Sequence, residues 1–170
     1  NCPDISIIND FAAIVRALPA LKAEHLESIG GGHREPGKPM VAIGPGTGTG
    51  VASLAFDSRG APIVLPGEGG HVDFAPITDI EAKILSRLRV QYGRVSIERL
   101  LCGAGIMNIY HALADIRGTP SPYVTPEAVG SAAQQGKDAL SVETMNTFFS
   151  VLGSAAGNLA LTLGTRGGVY

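Results

Sequence analysis

Hydrophobic and polar positions along the first part of the chain predict a strand followed by a helix. The apolar run Ile5–Ile8 is typical of a short buried strand, and the next apolar residues recur at threes and fours, as on one face of a helix. These helical positions are Phe11, Ile14, Val15 and Leu18. Pro19 is expected to end the helix because proline lacks a backbone N–H. Asp10 stands at the junction, so we expect it at the carboxyl end of a strand, the edge where ligands of open α/β sheets bind.

Three consecutive strands are predicted next. They cover Val41–Ile43, Val51–Phe56 and Pro62–Leu65. The glycine loop Gly44–Gly50 joins the first strand to the second, and the turn Asp57–Gly60 joins the second to the third. Both connections run from strand to strand, so we expect a meander in this part of the chain.

From Thr78 onward the periodicity becomes helical. Thr78 and Glu81 have the spacing of a capping box, in which each side chain accepts a hydrogen bond from the backbone of the other residue. Gly93 is expected to end this helix. Its apolar face carries Ile80, Ile84 and Leu88.

The rest of the chain is predicted to be helical as well. Two helices are expected over 96–101 and 105–116, and a third begins at Pro126, a residue that suits a first helical turn. The longest helix covers 140–163, where apolar residues recur at threes and fours, and Gly164 is expected to end it. The pattern thus predicts a chain with both strands and helices, which suits a compact α/β body.

The composition fits such a fold and argues against several function classes. Hydrophobic residues make up 45% of the 170 residues and charged residues 16%, with 23 Gly and 11 Pro. The formal net charge is −2 and basic residues are scattered, so we expect no nucleic-acid partner. No apolar segment resembles a signal peptide or a membrane span. Cys2 and Cys102 lack the spacing of a zinc site or a disulfide framework. We therefore expect a cytoplasmic protein with no membrane partner.

One glycine motif resembles a P-loop but lacks a necessary part. Gly32, Gly37 and Lys38 have the correct spacing, whereas Pro39 stands where a Ser or Thr hydroxyl would bind magnesium. Glu35 also adds a negative charge to a loop that would have to hold phosphate. We therefore reject the P-loop interpretation.

A second motif resembles a dinucleotide-binding fingerprint. Gly46, Gly48 and Ala52 match its spacing, and Glu68 follows at a suitable distance. That fingerprint must open a helix, but a strand is predicted here. A glycine-rich turn between strands can still bind phosphate, because successive backbone N–H groups can converge on an anion. A plain hairpin loop remains the alternative.

Two titratable residues, Glu68 and His71, lie in the glycine-rich segment Leu65–Phe74. Two ligands without a third make a weak metal site. A carboxylate and an imidazole can instead recognise hydroxyl groups, because the first accepts hydrogen bonds and the second both donates and accepts. The alternative is a pair of loop side chains in water.

Asp10 and Glu98 each have a structural interpretation besides a functional one. Aspartate at a strand-to-helix junction is commonly an N-cap, which taken alone is the favoured interpretation of Asp10. Glu98 is expected in the first turn of a helix, where a carboxylate is favoured by the helix dipole. Single residues therefore do not decide the function.

Taken together, five segments resemble bacterial glucokinases in content and order. They are Ile7–Phe11, Gly44–Gly50, Leu65–Pro76, Val95–Leu100 and Gly157–Leu161. The related ROK sugar kinases and repressors add a Cys-x-Cys-Gly zinc cluster, which this sequence lacks. The resemblance implies the actin-like ATPase (ribonuclease H-like) fold of the hexokinase superfamily, an α/β fold, here mostly the larger C-terminal domain of a two-domain sugar kinase.

The resemblance also implies a function and a set of site residues. It implies ATP-dependent phosphorylation of the 6-hydroxyl of glucose, an early step of glycolysis, with ATP and Mg²⁺ as cofactors. Asp10 matches the catalytic base of the family. The residues matching those that bind the sugar are Asn9, Glu68, His71 and Glu98, and those matching the second phosphate loop are Gly46, Thr47 and Gly48.

The resemblance further implies how the domains are divided. Residues 1–20 would be a remnant of the small N-terminal domain and 21–170 the large domain. The first phosphate loop would lie before Asn1 and the adenosine-binding segment after Tyr170, so the 170 residues by themselves are expected to be inactive or nearly so. A homodimer is one open possibility. Two other functions stay open, a sugar-binding regulator without catalysis and a scaffold domain whose glycine loops are only turns.

Overall fold

A computed structural model describes residues 7–30 and 32–170 of the chain. Contacts between residues divide them into two compact units. The first unit contains the described residues of Asn1–Gly44, together with Gly50–Gly69 and Ala156–Tyr170. The second unit contains Pro45–Thr49 and Gly70–Ala155.

The first unit is built on a mixed sheet of four strands in the order β3-β2-β1-β4. The strands are β1 (Met40–Pro45), β2 (Thr49–Phe56), β3 (Pro62–Gly67) and β4 (Gly168–Val169). β2 and β3 are antiparallel, with Ser53 opposite Leu65. β1 and β4 are parallel, with Met40 opposite Gly168. The three strands predicted from the pattern are confirmed.

One helix, α1 (Asp10–Ala17), precedes the sheet in sequence, and a 3₁₀ turn over Leu18–Ala20 follows it. Its apolar face is buried, since Val15 and Leu18 are 0% and 2% exposed. The core that these two residues join consists of Met40, Ala42, Ala52 and Leu54, with Phe11, Phe56, Val64 and Tyr170 packed around it. The threes-and-fours periodicity predicted this helix correctly.

The buried strand predicted over 5–8 is wrong for the residues that the structure describes. Ile7 and Ile8 have no regular secondary structure, and Ile7 is 95% exposed. Ile5 lies outside the described residues. A strand needs a neighbouring strand to take its backbone hydrogen bonds, and the four strands of the described sheet do not include this segment.

The second unit is mostly helical. It contains α2 (Asp79–Tyr92), α3 (Gly103–Arg117), α4 (Pro126–Gln134) and the first part of α5 (Ala139–Leu163). The capping box at the start of α2 is confirmed, because Thr78 Oγ1 accepts from Glu81 N and Glu81 Oε2 accepts from Thr78 N, both at 3.3 Å. α2 and α5 end at Gly93 and Gly164, as expected.

The helix predicted over 96–101 is only a 3₁₀ turn, Ile97–Arg99. Its start pairs with another segment, since Phe74 N donates to Val95 O at 3.0 Å and Ile97 N donates to Val72 O at 2.9 Å. Because these backbone groups bond to a distant segment, they do not form a helical ladder. α3 then begins at Gly103, two positions earlier than predicted, with Cys102 as its N-cap.

Candidate active site

The candidate site residues are divided between the two units. Asn9, Asp10 and Glu68 belong to the first unit, whereas the turn Gly46–Gly48, His71 and Glu98 belong to the second. The candidate residues therefore form two groups, one in each unit. That all of them line one cleft stays a prediction.

The start of α1 places Asn9 and Asp10. The N-cap of this helix is Asn9, whose Oδ1 accepts from the backbone N–H of Phe11 at 2.9 Å and of Ala12 at 3.2 Å. The N-cap interpretation of Asp10 is therefore wrong. Asp10 is the first helical residue, and its exposed carboxylate accepts only from Phe11 N, at 2.8 Å, among the described residues. Its second oxygen, Oδ2, accepts no hydrogen bond from the residues that the structure describes.

Phe11 fixes this helix start against the sheet. A Cβ atom at Gly50 would overlap the Phe11 ring, and a Cβ atom at Gly44 would lie 2.7 Å from Phe11 Cζ. These two glycines therefore make room for an aromatic ring. Of the four glycines in the predicted glycine loop Gly44–Gly50, only Gly46 and Gly48 lie in the turn itself.

The turn Gly46–Gly48 connects β1 to β2, so the helix that a dinucleotide fingerprint requires is absent from this place in the described chain. Gly46 N donates to Gly48 O at 2.7 Å, which closes the turn. The N–H groups of Thr47 and Gly48 have no acceptor among the described residues. Two such N–H groups, one of them on an exposed residue, can bind an anion.

Three hydrogen bonds attach this turn to the segment 98–103. Thr49 N donates to Glu98 Oε2 at 2.9 Å, and Thr49 Oγ1 donates to Leu101 O at 2.5 Å. Gly103 N donates to Gly46 O at 3.1 Å. Thr49 is 6% exposed, so its N–H depends on Glu98 rather than on water. The shape of the turn is therefore set by residues about fifty positions away.

Glu98 and His71 lie side by side in the second unit. His71 Nδ1 is 3.9 Å from Glu98 Oε1, while the other carboxylate oxygen of Glu98 holds Thr49 N. The Glu98 side chain is 31% exposed and that of His71 61% exposed. The carboxylate of Glu98 is thus engaged in a tertiary contact, which a plain first-turn residue would not make.

The backbone around His71 is held from two directions. Arg94 donates from Nη2 to His71 O at 2.7 Å and pairs through Nε with Asp73 at 2.6 Å. Gly70 lies against Thr49, because a Cβ atom at position 70 would overlap Thr49 O. Neither Arg94 nor Thr49 was predicted as a site residue, since their roles depend on contacts that no local pattern reveals.

Glu68 follows β3 and is exposed. It belongs to the first unit, whereas His71 and Glu98 belong to the second. Within residues 7–30 and 32–170, no three His, Cys, Asp or Glu side chains are grouped to hold a metal ion. Over the same residues, no helix is long and apolar enough to cross a membrane.

Comparison with known proteins decides the family. The glucokinase family model matches residues 1–170. The glucokinase of Marinobacter nauticus is 47% identical over 165 residues, which cover 96% of this chain and 51% of that protein. The glucokinase of Paramagnetospirillum magneticum is 43% identical over 166 residues, 98% of this chain and 52% of that protein. The chain belongs to the glucokinase family. It spans about half the length of these relatives.

Solved structures of glucokinases show the same fold. A glucokinase from an Antarctic psychrotroph matches with a TM-score of 0.89 and 37% identity, over 95% of this chain and 50% of that one. A glucokinase of Balamuthia mandrillaris, solved in complex with glucose, matches with a TM-score of 0.66 and 22% identity, over 80% of this chain and 40% of that one. The predicted fold class, an α/β fold of the actin-like ATPase type, is confirmed.

Proposed function

We propose that the full-length protein is a glucokinase, which transfers the γ-phosphoryl group of ATP to the 6-hydroxyl of glucose. The observation that carries this proposal is the position of Glu98 in a member of the glucokinase family. One of its carboxylate oxygens holds the glycine turn and the other faces His71. A polar group suited to hydroxyl recognition therefore lies directly beside a turn suited to phosphate.

Asp10 is the proposed catalytic base. Its carboxylate is exposed at the start of α1, with one oxygen on Phe11 N and the other open to a substrate. In the reaction the 6-oxygen of glucose forms a bond to the γ-phosphorus, the bond from that phosphorus to the β-phosphate oxygen breaks, and Asp10 takes the hydroxyl proton. Most of the acceleration is expected to come from positioning and charge stabilisation rather than from the proton transfer.

Asn9, Glu68, His71 and Glu98 are the proposed sugar contacts. Asn9 uses its carbonyl oxygen to cap α1, so its amide N–H groups are the part available to donate to a hydroxyl. Glu98 Oε1 and the imidazole of His71 offer an acceptor and a group that both donates and accepts. A polyol needs such a mixture because each of its hydroxyls must be paired when it leaves water.

Gly46, Thr47 and Gly48 are the proposed phosphate contacts of ATP. The N–H groups of Thr47 and Gly48 fit this role because the described residues offer them no acceptor. The described residues offer no cage of carboxylates for Mg²⁺. Mg²⁺ would therefore be held chiefly by the nucleotide phosphates, as is common for this ion, and would neutralise part of their charge.

Several parts of the sequence interpretation remain proposals. They are the division into a small-domain remnant (1–20) and a large domain (21–170), a cytoplasmic location, and a homodimer. Val15 and Leu18 lie before the proposed boundary at residues 20 and 21, yet they pack in one core with strands β1 and β2, which lie after it.

The test is a coupled assay of ATP-dependent glucose phosphorylation on the full-length protein, together with glucose calorimetry. We expect turnover and glucose binding. Glucose binding without turnover would indicate a sugar-binding regulator, and neither binding nor turnover would indicate a scaffold. Either result would contradict the proposal. The same assay on the 170 residues alone tests the expectation that they are inactive.

A further inference from the structure

The turn Gly46–Gly48 is separated from its anchor by a long stretch of sequence. Thr49, the first residue after the turn, is buried, and its N–H donates to Glu98 Oε2 at 2.9 Å. If that acceptor is lost, a buried donor is left without a partner, which costs far more than an exposed hydrogen bond contributes. The turn should then change shape.

Gly48 and Glu98 are also in direct steric contact. A Cβ atom at Gly48 would lie 2.5 Å from Glu98 Oε2 and 3.3 Å from its Cδ. The φ of Gly48 lies outside the left-handed region, so alanine fits the backbone there. The carboxylate is the far end of a flexible side chain and can move. Alanine at position 48 would therefore push the Glu98 carboxylate away from Thr49 N.

We propose that Glu98 is a positioning residue for the turn Gly46–Gly48, in addition to its proposed contact with the sugar. Its two carboxylate oxygens have different partners: Oε2 accepts a hydrogen bond from Thr49 N, and Oε1 lies beside His71. If bound sugar moves the Glu98 side chain, the hydrogen bond to Thr49 N changes as well, and with it the turn that is proposed to bind the nucleotide. The inference rests on the proposed function for the identity of the two ligands, but the hydrogen bond to Thr49 can be tested without either.

The first measurement needs no ligand. Hydrogen exchange of the Thr49 amide is followed in the full-length protein and in three variants. Glu98→Gln keeps an oxygen that can accept from Thr49 N, so the amide should stay protected. Glu98→Ala and Gly48→Ala should speed its exchange by about tenfold or more, because a buried donor loses its acceptor. Gly153→Ala is the control, since this position is exposed on α5 and a Cβ atom there meets nothing within 4 Å.

The second measurement is the affinity for a non-hydrolysable ATP analogue with Mg²⁺, in the absence of sugar. We expect Glu98→Ala and Gly48→Ala to weaken binding by about ten- to hundredfold and Glu98→Gln by less than about threefold. Glucose affinity should fall in Glu98→Gln, because the charge of the carboxylate is lost. Glu98→Gln should therefore weaken glucose binding while nearly preserving nucleotide binding. A residue with a merely structural role would not separate the two affinities in this way.

A double-mutant cycle makes the assignment specific. If Gly48→Ala acts by displacing Glu98, then adding it to Glu98→Ala should change nucleotide affinity by less than about twofold, since the two changes share one contact. Additive effects would overturn the inference, because the methyl group would then block the nucleotide directly. Unchanged Thr49 exchange in Glu98→Ala would overturn it as well. If Glu98→Ala does not fold, Gly48→Ala and Glu98→Gln still decide.

A wild-type protein that binds no nucleotide would instead contradict the proposed function. In that case the exchange of the Thr49 amide would still confirm or overturn the role of Glu98 in holding the turn. The two failures are therefore distinguishable.

Discussion

The start of α1 and the glycine turn are both proposed to act on the same reaction, but they are held in different ways. At the start of α1, the side chains of Asn9 and Asp10 accept hydrogen bonds, among the described residues, only from N–H groups one to three positions away. At the turn, Thr49 depends on Glu98 and Leu101, which are 49 and 52 positions away. A helix cap thus orients the carboxylate proposed as the base through neighbouring residues, whereas the turn proposed to bind phosphate is held by hydrogen bonds from distant parts of the chain.

The largest effect is expected at the locally held site. Asp10→Ala in the full-length protein should reduce kcat by about 10²–10⁴-fold, because a general base contributes that much. Glucose affinity should change little, since Asp10 acts on the proton rather than on the ring. Steady-state kinetics and calorimetry measure the two quantities. Asp115→Ala removes a different exposed carboxylate, on α3, and should leave both unchanged. More than about a tenth of the wild-type rate in Asp10→Ala would exclude Asp10 as the base.

The second prediction tests whether the start of α1 is held only by local contacts. Gly50→Ala places a methyl group into the Phe11 ring. We expect it to lower the free energy of unfolding by about 1–3 kcal/mol, because overpacking moves side chains and backbone. Denaturant unfolding measures this loss. Gly67→Ala is the matched control, since its Cβ atom would meet only Val51 O at 3.6 Å.

If Phe11 is the cause, the pair Gly50→Ala and Phe11→Leu should be more stable than the sum of the two single changes predicts. Strict additivity would show that the ring is not responsible. The start of α1 would then be held by its local hydrogen bonds alone, without a contribution from the packing of Phe11 against the sheet.

The third prediction concerns Glu81, which combines local and distant support. Its buried carboxylate accepts from Ile77 N at 2.7 Å and from Thr78 N at 3.3 Å, and also from Ser150 Oγ at 3.1 Å, 69 positions away. Glu81→Ala should lower the free energy of unfolding by about 1–3 kcal/mol, because two partly buried N–H groups lose their acceptor. Glu127→Ala is the comparison, as Glu127 is an exposed first-turn carboxylate of α4. Thermal unfolding measures both variants. Equal losses of unfolding free energy would mean that the burial of the Glu81 carboxylate does not increase its contribution to stability.

The smallest effect is expected at Tyr110, whose buried hydroxyl has no hydrogen-bond partner among the described residues. Tyr110→Phe should change the free energy of unfolding by less than about 1 kcal/mol, since no bond is lost. Tyr92→Phe is the matched variant, because Tyr92 donates to Asn108 Oδ1 at 3.1 Å, and it should lose about 0.5–1.5 kcal/mol. A larger loss for Tyr110→Phe than for Tyr92→Phe would contradict the assignment.

Tyr110 also carries a dependence on pH. Burial is the largest influence on the pKa of its hydroxyl, and it raises that pKa. The folded state therefore holds this proton more tightly than the unfolded state, whose tyrosine pKa is about 10. The stability linked to this proton is present below about pH 10 and is lost as the pH rises above it. Tyr110→Phe should lose less stability than the wild type between neutral and strongly alkaline pH.

Much of the fold followed from local patterns. The apolar periodicity of α1, α2 and α5, the capping box Thr78–Glu81 and the glycines that end two helices were all readable from residues within one or two turns of each other. The strand prediction failed at Ile7 and Ile8, which have no regular secondary structure. The helix predicted over 96–101 failed because backbone groups at its start bond to partners elsewhere. For Val95–Ile97 those partners lie in the segment 72–74.

The sequence by itself determined the family, the α/β class and the identity of the candidate residues, because motifs such as Leu65–Pro76 are carried by consecutive positions. Only the tertiary structure decided what several of these residues do. It assigned Gly44 and Gly50 to the packing of Phe11, made Asn9 rather than Asp10 the helix cap, and placed Glu98 on Thr49 N. The physical reason is that caps and periodicity act within a few residues. A buried N–H, by contrast, donates to whichever acceptor the folded chain brings to it, at any distance in sequence.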